Sequence, residues 1–406
     1  MSEDSNQTSR NPLKRLLGDI RPGEGFPVLL MLLNLFLILV AYYIIKVVRE
    51  PLILSTPNGA QWKSYGAALQ ALVLMGYIPL YSWFTSRVDR LKLILGVNIF
   101  FLACIEIFSL AITANVPYVG LAFFVWVGIF SLSMIAQFWS WANDVYSEET
   151  GKRLFPIIAI GATLGSPFGS KIASFLFGTG MKAQMIMQIS AALLVLSALL
   201  YWYLNSRSPQ IKHGAKAEAP LSKQNGFSLV FKSRYLLLIA ALLLLLNLVN
   251  TTGEFILSSK VVEAADKAIS SNPGVDKKAF IGSFYGNFFF VVNITAFLIQ
   301  TFLVSRIVKY FGMAGVVLLL PFIALGSYGL IAAGVGLALI RVAKIAENST
   351  DYSVMNTARA MLWLPTSREE KYKAKQTVDT FIVRVGDMLS AGVVFVGLTF
   401  LQLSAK

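Results

Sequence analysis

The residues that could do chemistry in this 406-residue chain are ionisable side chains set inside long apolar runs. Such a charge is costly in hydrocarbon, so it faces a cavity or a partner of opposite sign. At the end of the first run, Lys46, Arg49 and Glu50 precede Pro51, and the two cations stand about one helical turn apart on one face. Cations so placed suit an anion; the alternative is snorkelling to the membrane interface with Glu50 as partner. Further on, Phe138-Trp139-Ser140-Trp141-Ala142-Asn143-Asp144 sets aromatic area and an amide beside a charged loop. It reads either as an interfacial belt or as a platform on which a flat group stacks. Gly161, Gly165 and Gly169, four apart, would let helices approach closely, while the nearby Lys171 is expected to face a cavity.

The second half of the chain carries a matching set. Asn247, Asn250, Thr251, Thr252, Gly253 and Glu254 follow a run of leucines. Glu254 is either a substrate-site carboxylate or an ion-pair partner locking two halves together. Arg341, Lys344, Glu347 and Asp351 recur at helical spacing and so share one face. Arg384 and Asp387, with Asp379 a turn or so earlier, could answer that stripe from a neighbouring helix.

These residues need long membrane helices to position them. The chain is 56% hydrophobic and 14% charged, whereas a soluble domain has about 25% charged residues. Its apolar residues fall in runs long enough for a hydrocarbon core, about 20 residues each. Spans are expected near 27–48, 64–86, 92–114, 117–142, 155–177 and 183–204, then near 235–258, 280–304, 312–331, 334–360 and 377–402. The expected fold is therefore all-α and polytopic, with about 11 spans visible. The expected layout is a cytoplasmic segment 1–25, a six-helix bundle 26–204, a basic linker 205–234 and a five-span bundle 235–406. Roughly twenty Lys or Arg fall on the predicted cytoplasmic side and about six on the other, the bias that orients membrane proteins with basic loops inside. The amino terminus is accordingly expected in the cytoplasm, in a retained first span rather than a cleaved signal.

Two internal echoes suggest a duplicated helical unit, with substrate held between the halves near the midplane. YSWFTSRVDR from Tyr81 to Arg90 parallels TFLVSRIVKY from Thr301 to Tyr310. Ser147-Glu148-Glu149 followed by Lys152-Arg153 parallels Ser367-Arg368-Glu369-Glu370 followed by Lys371.

Several functions lose support. The net charge of +14 lies in alternate loops, as for an anionic membrane leaflet, so no nucleic-acid partner is expected. Cys104 is the only cysteine and His213 the only histidine, so no disulfide, metal site or cofactor is expected. Phosphate-loop, nucleophile-elbow and zinc-protease motifs are missing, so no catalytic residues are assigned and the chain is not read as an enzyme.

FWSWANDVYSEETGKRLFPIIAIGATLGSPFG (Phe138 to Gly169), with ENSTDYSVMNTARAMLWLP, EEKYKAK and VDTFIVRVGD between Glu347 and Asp387, resembles the ATP/ADP translocases of plastids and intracellular bacteria and their free-living bacterial relatives. YYIIKVVREPL from Tyr42 to Leu52 looks like the charged end of that family's first helix. The resemblance implies a major-facilitator-type two-bundle transporter, 12 spans in the family, exchanging nucleotides by alternating access. In a transporter of that kind Lys46, Arg49, Lys171, Lys344 and Arg384 are expected to face phosphates, since phosphate oxygens favour Arg and Lys donors, with Trp139 and Asn143 at the base and Glu254 and Glu347 as partners of the cations in the empty site. Departures are Arg49-Glu50 where many exchangers carry Lys-Asp, Val127 near a frequent acidic position, and an end before a twelfth span. Expected partners are the lipid bilayer of a bacterial inner membrane and a small anionic substrate, with the chain acting as a monomer. The competing expectations are a non-transporting membrane scaffold or sensor and a proton-coupled carrier of another solute.

Overall fold

A computed structural model describes residues 20–21, 23–85, 87–88, 90–207, 226–367 and 369–400. His213, the basic residues Arg10, Lys14 and Arg15, and 208–225 of the expected linker lie outside the described residues. Among the described residues there are helices and turns and no strand. The first half holds α1 (Gly25–Leu54), α2 (Gly59–Thr85), α3 (Arg90–Thr113), α4 (Val119–Val145), α5 (Glu148–Gly178) and α6 (Ala183–Arg207). The second holds α7 (Gly226–Lys232), α8 (Arg234–Ser271), α9 (Lys277–Leu298), α10 (Val304–Ala332), α11 (Leu337–Thr350), α12 (Asn356–Leu362), α13 (Lys375–Thr377) and α14 (Val383–Thr399).

Seven stretches of described helix are long and apolar enough to cross a membrane. One of them, Lys277–Ala332, is 56 residues long, far beyond what one crossing needs. Gly312 breaks it: φ of +61° with ψ of −165° is not helical backbone, and a left-handed φ suits glycine. That break falls at the first residue of the span expected near 312–331, after the one expected near 280–304. A π-helical turn at Ile299–Leu303 joins α9 to α10, and another at Asp351–Met355 joins α11 to α12. The closing residues of the expected linker are ordered as α7, whose Val230 is buried.

α1 is the axis of the first half. The most apolar window of α1 is 67% buried against 22% for that of Lys277–Ala332, so α1 is enclosed by protein and the latter run faces outward. An all-round apolar helix is what such a position requires. The glycine stripe lets α5 close on α1: a Cβ at Gly165 would stand 2.7 Å from the Phe36 carbonyl oxygen, and one at Gly169 would stand 2.5 Å from that of Val40. Only a residue with no side chain fits against backbone at that range.

The serine echo has a structural cause. Ser147 Oγ accepts from the Thr150 amide at 3.3 Å and caps α5. Ser367 Oγ accepts from the Glu370 amide at 3.3 Å, and Glu370 Oε2 accepts from the Ser367 amide at 2.7 Å. The latter is a reciprocal capping box, and both serines open the helix that follows.

Two hydrophobic clusters divide the interior unevenly. The larger joins α1, α4, α5 and α6 to Leu257, Val261 and Ala265 late in α8, and to Ile281, Tyr285 and Phe288 early in α9. The smaller contains only second-half residues, among them Leu236, Ile239 and Leu243 early in α8 with Val316, Val354 and Met355. The halves are thus fused by apolar packing where α8 ends and keep separate cores where it begins. At the fused end Ser174 Oγ donates to the Ser283 carbonyl at 2.9 Å, tying α5 to α9.

Candidate substrate site

Between the halves lies a cavity of about 300 Å³ with a polar and charged lining. α1 supplies Tyr42, Lys46 and Arg49; α2 supplies Lys63 and Ser64; α8 supplies Asn247, Asn250, Thr251 and Glu254. Phe289 of α9, Asn348 of α11, Tyr352 of the π turn, and Arg384 and Asp387 of α14 complete most of the wall. The π turn matters to Tyr352. Asp351 Oδ1 accepts from Arg359 Nη2 at 2.9 Å, while the next residue, Tyr352, lines the cavity. Such single wide turns recur at functional sites.

All but one of the cavity's cations has a carboxylate. Arg49 Nη2 lies 2.5 Å from Glu50 Oε1 and Lys63 Nζ lies 2.7 Å from Glu50 Oε2, with Glu50 fully buried. Lys63 Nζ also donates to Ser258 Oγ at 3.0 Å and stands 3.7 Å from Glu254 Oε2. Behind the wall, Lys344 Nζ donates to Glu347 Oε1 at 2.9 Å and to Asn250 Oδ1 at 3.0 Å, with Glu254 Oε1 3.9 Å away. Across the cavity Arg384 Nη1 meets Asp387 Oδ2 at 3.4 Å. Asp387 Oδ1 in turn accepts from Asn247 Nδ2 and Thr251 Oγ1, each at 2.8 Å.

Lys46 is the exception. Among the described residues no carboxylate lies within ion-pair range of it. Its Nζ instead sits 4.4 Å from the Phe289 ring centroid, 4.9 Å from Tyr43, and 6.0 Å from both Tyr42 and Tyr352. Aromatic faces attract a cation through their quadrupole and leave its charge unneutralised. The rings come from both halves, and Tyr43 Oη reinforces the junction by donating to Asn293 Oδ1 at 3.2 Å.

The structure brings Lys46, Arg49, Glu254 and Arg384 to the cavity wall. It places Lys344 and Glu347 directly behind it, at 0% and 2% exposure. Three expected site residues are elsewhere. Trp139 packs against Phe138 and Phe155, at 5.4 and 5.6 Å between ring centroids, and so seals α4 against α5. Asn143 is exposed near the end of α4. Lys171 is also exposed, its Nζ 5.3 Å from the Phe290 ring. The cause is helical phase: Gly169 faces α1, and two residues further on the helix has turned about 200°. Arg341 leaves its stripe as well, lying over the Phe284 ring at 5.2 Å. Arg384 and Asp387 answer each other and α8, not the α11 stripe, and Asp379 pairs with Lys375 at 3.0 Å.

Lys63 was absent from the sequence candidates because the second span is expected to start near residue 64. The helix starts earlier, at Gly59, after Asn58 in the left-handed region, φ 56°. That turn signal was in the sequence, and it sets Lys63 a full turn inside the helix.

The fold and the charged cavity between its halves define a membrane protein of the major-facilitator type. The nucleoside transporter NupG aligns with a TM-score of 0.63 at 13% identity, covering 90% of this chain and 88% of that one. An inward-facing, unoccupied bacterial homolog of the human lysosomal transporter Spinster aligns at 0.58 and 17%, covering 91% and 81%. The chain belongs to the TLC ATP/ADP transporter family, whose sequence profile matches residues 118–341, more than half its length. ADP,ATP carrier protein 1 of Chlamydia trachomatis is 24% identical over 301 residues, 63% of this chain and 54% of the carrier. ADP,ATP carrier protein 3 of Rickettsia bellii is 23% identical over 307 residues, 63% and 58%. The matched region thus spans a little over half the length of these relatives.

Proposed function

We propose that this chain carries a nucleotide, or a closely related organic anion, across the membrane by alternating access, without chemical conversion of the cargo. The observation that carries this reading is the unneutralised Lys46 on the wall of a cavity contributed by both halves. Phosphate oxygens favour Lys and Arg donors. A phosphate entering the cavity meets Lys46 first as a free charge, then competes with Glu50 for Arg49. The family and the carriers of nucleosides and of ADP and ATP among its relatives support a nucleotide over other anions.

In this reading the carboxylates do the switching. Glu254 stands between Lys63 and Lys344, so its attachments hold the halves in one arrangement until substrate takes over a cation. An empty site whose charges are paired across the interface resists reorientation, and the outcome is exchange in preference to leak. The amide and hydroxyl groups of Asn247, Asn250 and Thr251 face the same space and would receive the sugar or base, the role first expected of Trp139 and Asn143.

The proposed setting is a bacterial inner membrane, the amino terminus and the end of the bundle where α8 begins in the cytoplasm, and the monomer as working unit. The Lys and Arg bias of the loops supports that orientation. The separate cores at the same end support an inward-facing arrangement in this reading.

Labelled-nucleotide uptake into proteoliposomes tests the reading. Wild-type protein is expected to accumulate label against unlabelled internal nucleotide, and Lys46→Ala and Arg384→Ala are expected to abolish uptake. Parental rates in both variants would sink the assignment.

A further inference from the structure

The charges around the cavity nearly cancel, and the remainder bears on the cargo. Arg49 and Lys63 share Glu50. Lys344 holds Glu347, and Glu254 lies between Lys63 and Lys344. Arg384 holds Asp387. Four cations and four carboxylates therefore neutralise one another, three of each in one chain of contacts and Arg384 with Asp387 as a separate pair, and the Asp351–Arg359 pair beyond them is neutral too. Lys46 is left over, so the described site carries a net charge of one positive unit.

We infer that the site is matched to a nucleotide of low charge, a nucleoside monophosphate, in preference to a free triphosphate. This rests on the transport reading above and narrows it. A phosphate monoester carries about −1.5 to −2 charges at neutral pH, so a monophosphate in this site leaves a residual near −1. A free triphosphate, with roughly two more negative charges, leaves a residual near −3. The loaded site has to be enclosed by helices for the substrate to cross, and uncompensated charge in a low-dielectric enclosure is strongly disfavoured. Rearranging ion pairs does not change the sum: a phosphate that takes Arg49 from Glu50 leaves Glu50 to Lys63 alone. The sum changes only when a cation travels with the cargo. A triphosphate carrying bound Mg²⁺ regains two charges and approaches the monophosphate.

Binding of AMP, ADP and ATP to purified protein, by isothermal titration with EDTA and again with Mg²⁺, tests the inference. The expected order without Mg²⁺ is AMP, ADP, ATP, with at least about tenfold between first and last, and Mg²⁺ is expected to improve ADP and ATP while leaving AMP nearly unchanged. Glu254→Gln removes one negative charge and is expected to raise the ADP-to-AMP affinity ratio about five- to tenfold. Asp387→Asn, on the opposite wall, provides the same charge change if Glu254→Gln does not fold. Tightest binding of Mg²⁺-free ATP overturns the inference, as does an unchanged ratio in a folded variant. Absence of binding by all three nucleotides overturns the transport reading itself, which separates the two failures.

Discussion

The Lys63 ammonium lies 2.7 Å from the Glu50 carboxylate of α1 and 3.7 Å from the Glu254 carboxylate of α8. One buried side chain therefore holds a carboxylate from each half of the chain. It does so at the fused side of the molecule, where Lys63 Nζ also lies 4.8 Å from the ring of Tyr285, whose hydroxyl is 2.9 Å from Ser258 Oγ. A charge shared across an interface this way costs little while both partners remain, and much when one is lost.

Replacing that ammonium tests the point. Breaking a buried pair by removing one partner costs about 3–5 kcal/mol, because a charge is left buried without compensation. Lys63→Met is expected to lower the thermal melting temperature in detergent clearly. The double variant Lys63→Met with Glu50→Gln is expected to recover part of the loss, since the negative charge left in excess over Arg49 is gone. Purely additive losses would show that the pair is not coupled.

Lys46 calls for a separation of binding from stability. It has aromatic neighbours and no carboxylate to orphan, so Lys46→Gln is expected to melt close to wild type. Losing a buried phosphate partner costs about 2–5 kcal/mol of affinity, so nucleotide protection against melting should nearly vanish. Lys46→Arg is expected to restore part of that protection. Full protection in Lys46→Gln would remove Lys46 from the site.

At Gly165 the prediction is steric. A Cβ there would be 2.7 Å from the Phe36 carbonyl oxygen and 2.9 Å from Leu39 Cβ, so α1 and α5 would have to separate along their contact. Gly165→Leu is expected to cost more than the roughly 1–3 kcal/mol of ordinary overpacking, read as loss of monodisperse protein in size-exclusion chromatography. Gly392, whose added Cβ would meet nothing within 4 Å, is the control, and Gly392→Leu should be tolerated.

Acid sensitivity has a named contributor at the mouth of the first helix. Both Glu24 oxygens accept from Arg153, at 2.7 Å each. The Arg153 guanidinium holds the Glu24 carboxyl at about 2, below its ordinary 4.5, with help from the Arg21 amide. A carboxyl whose folded value is depressed stabilises fully above the unfolded value and loses that contribution as pH falls from about 4.5 to about 2. Glu24→Gln is therefore expected to lower the melting temperature at pH 7 and to flatten its fall below pH 4.5. A variant whose acid limb matches wild type would rule this pair out.

Much of the candidate site was legible because intramembrane charge is informative by position alone. Lys46, Arg49, Glu254 and Arg384 stood out as ionisable groups in apolar runs, and the cavity gathers all four. Gly161, Gly165 and Gly169 were legible as a packing face, and Ser147 and Ser367 as equivalent points of the two halves, where each proves to open a helix. Lys171 misled because an apolar run does not tell which of its faces meets protein; the phase of the glycine contact does. Trp139 and Asn143 misled because aromatic and amide groups near a span end serve packing and solvent as readily as a ligand. Lys63 escaped because its helix begins a turn before hydropathy rises.

By itself the sequence determined that the chain is helical, membrane-spanning and built with charges it cannot afford to expose to lipid. Those properties are additive along a chain: each residue contributes hydropathy or charge regardless of what lies across the bundle. Only the tertiary structure decided which cation keeps its charge unpaired, since that depends on distances between helices far apart in sequence. Glu50 beside Lys63, Glu254 between two lysines, and four rings around Lys46 are all relations of that kind. Electrostatic energy falls off with separation and depends on its surroundings, so the same residues in the same order would make a different site in a different packing.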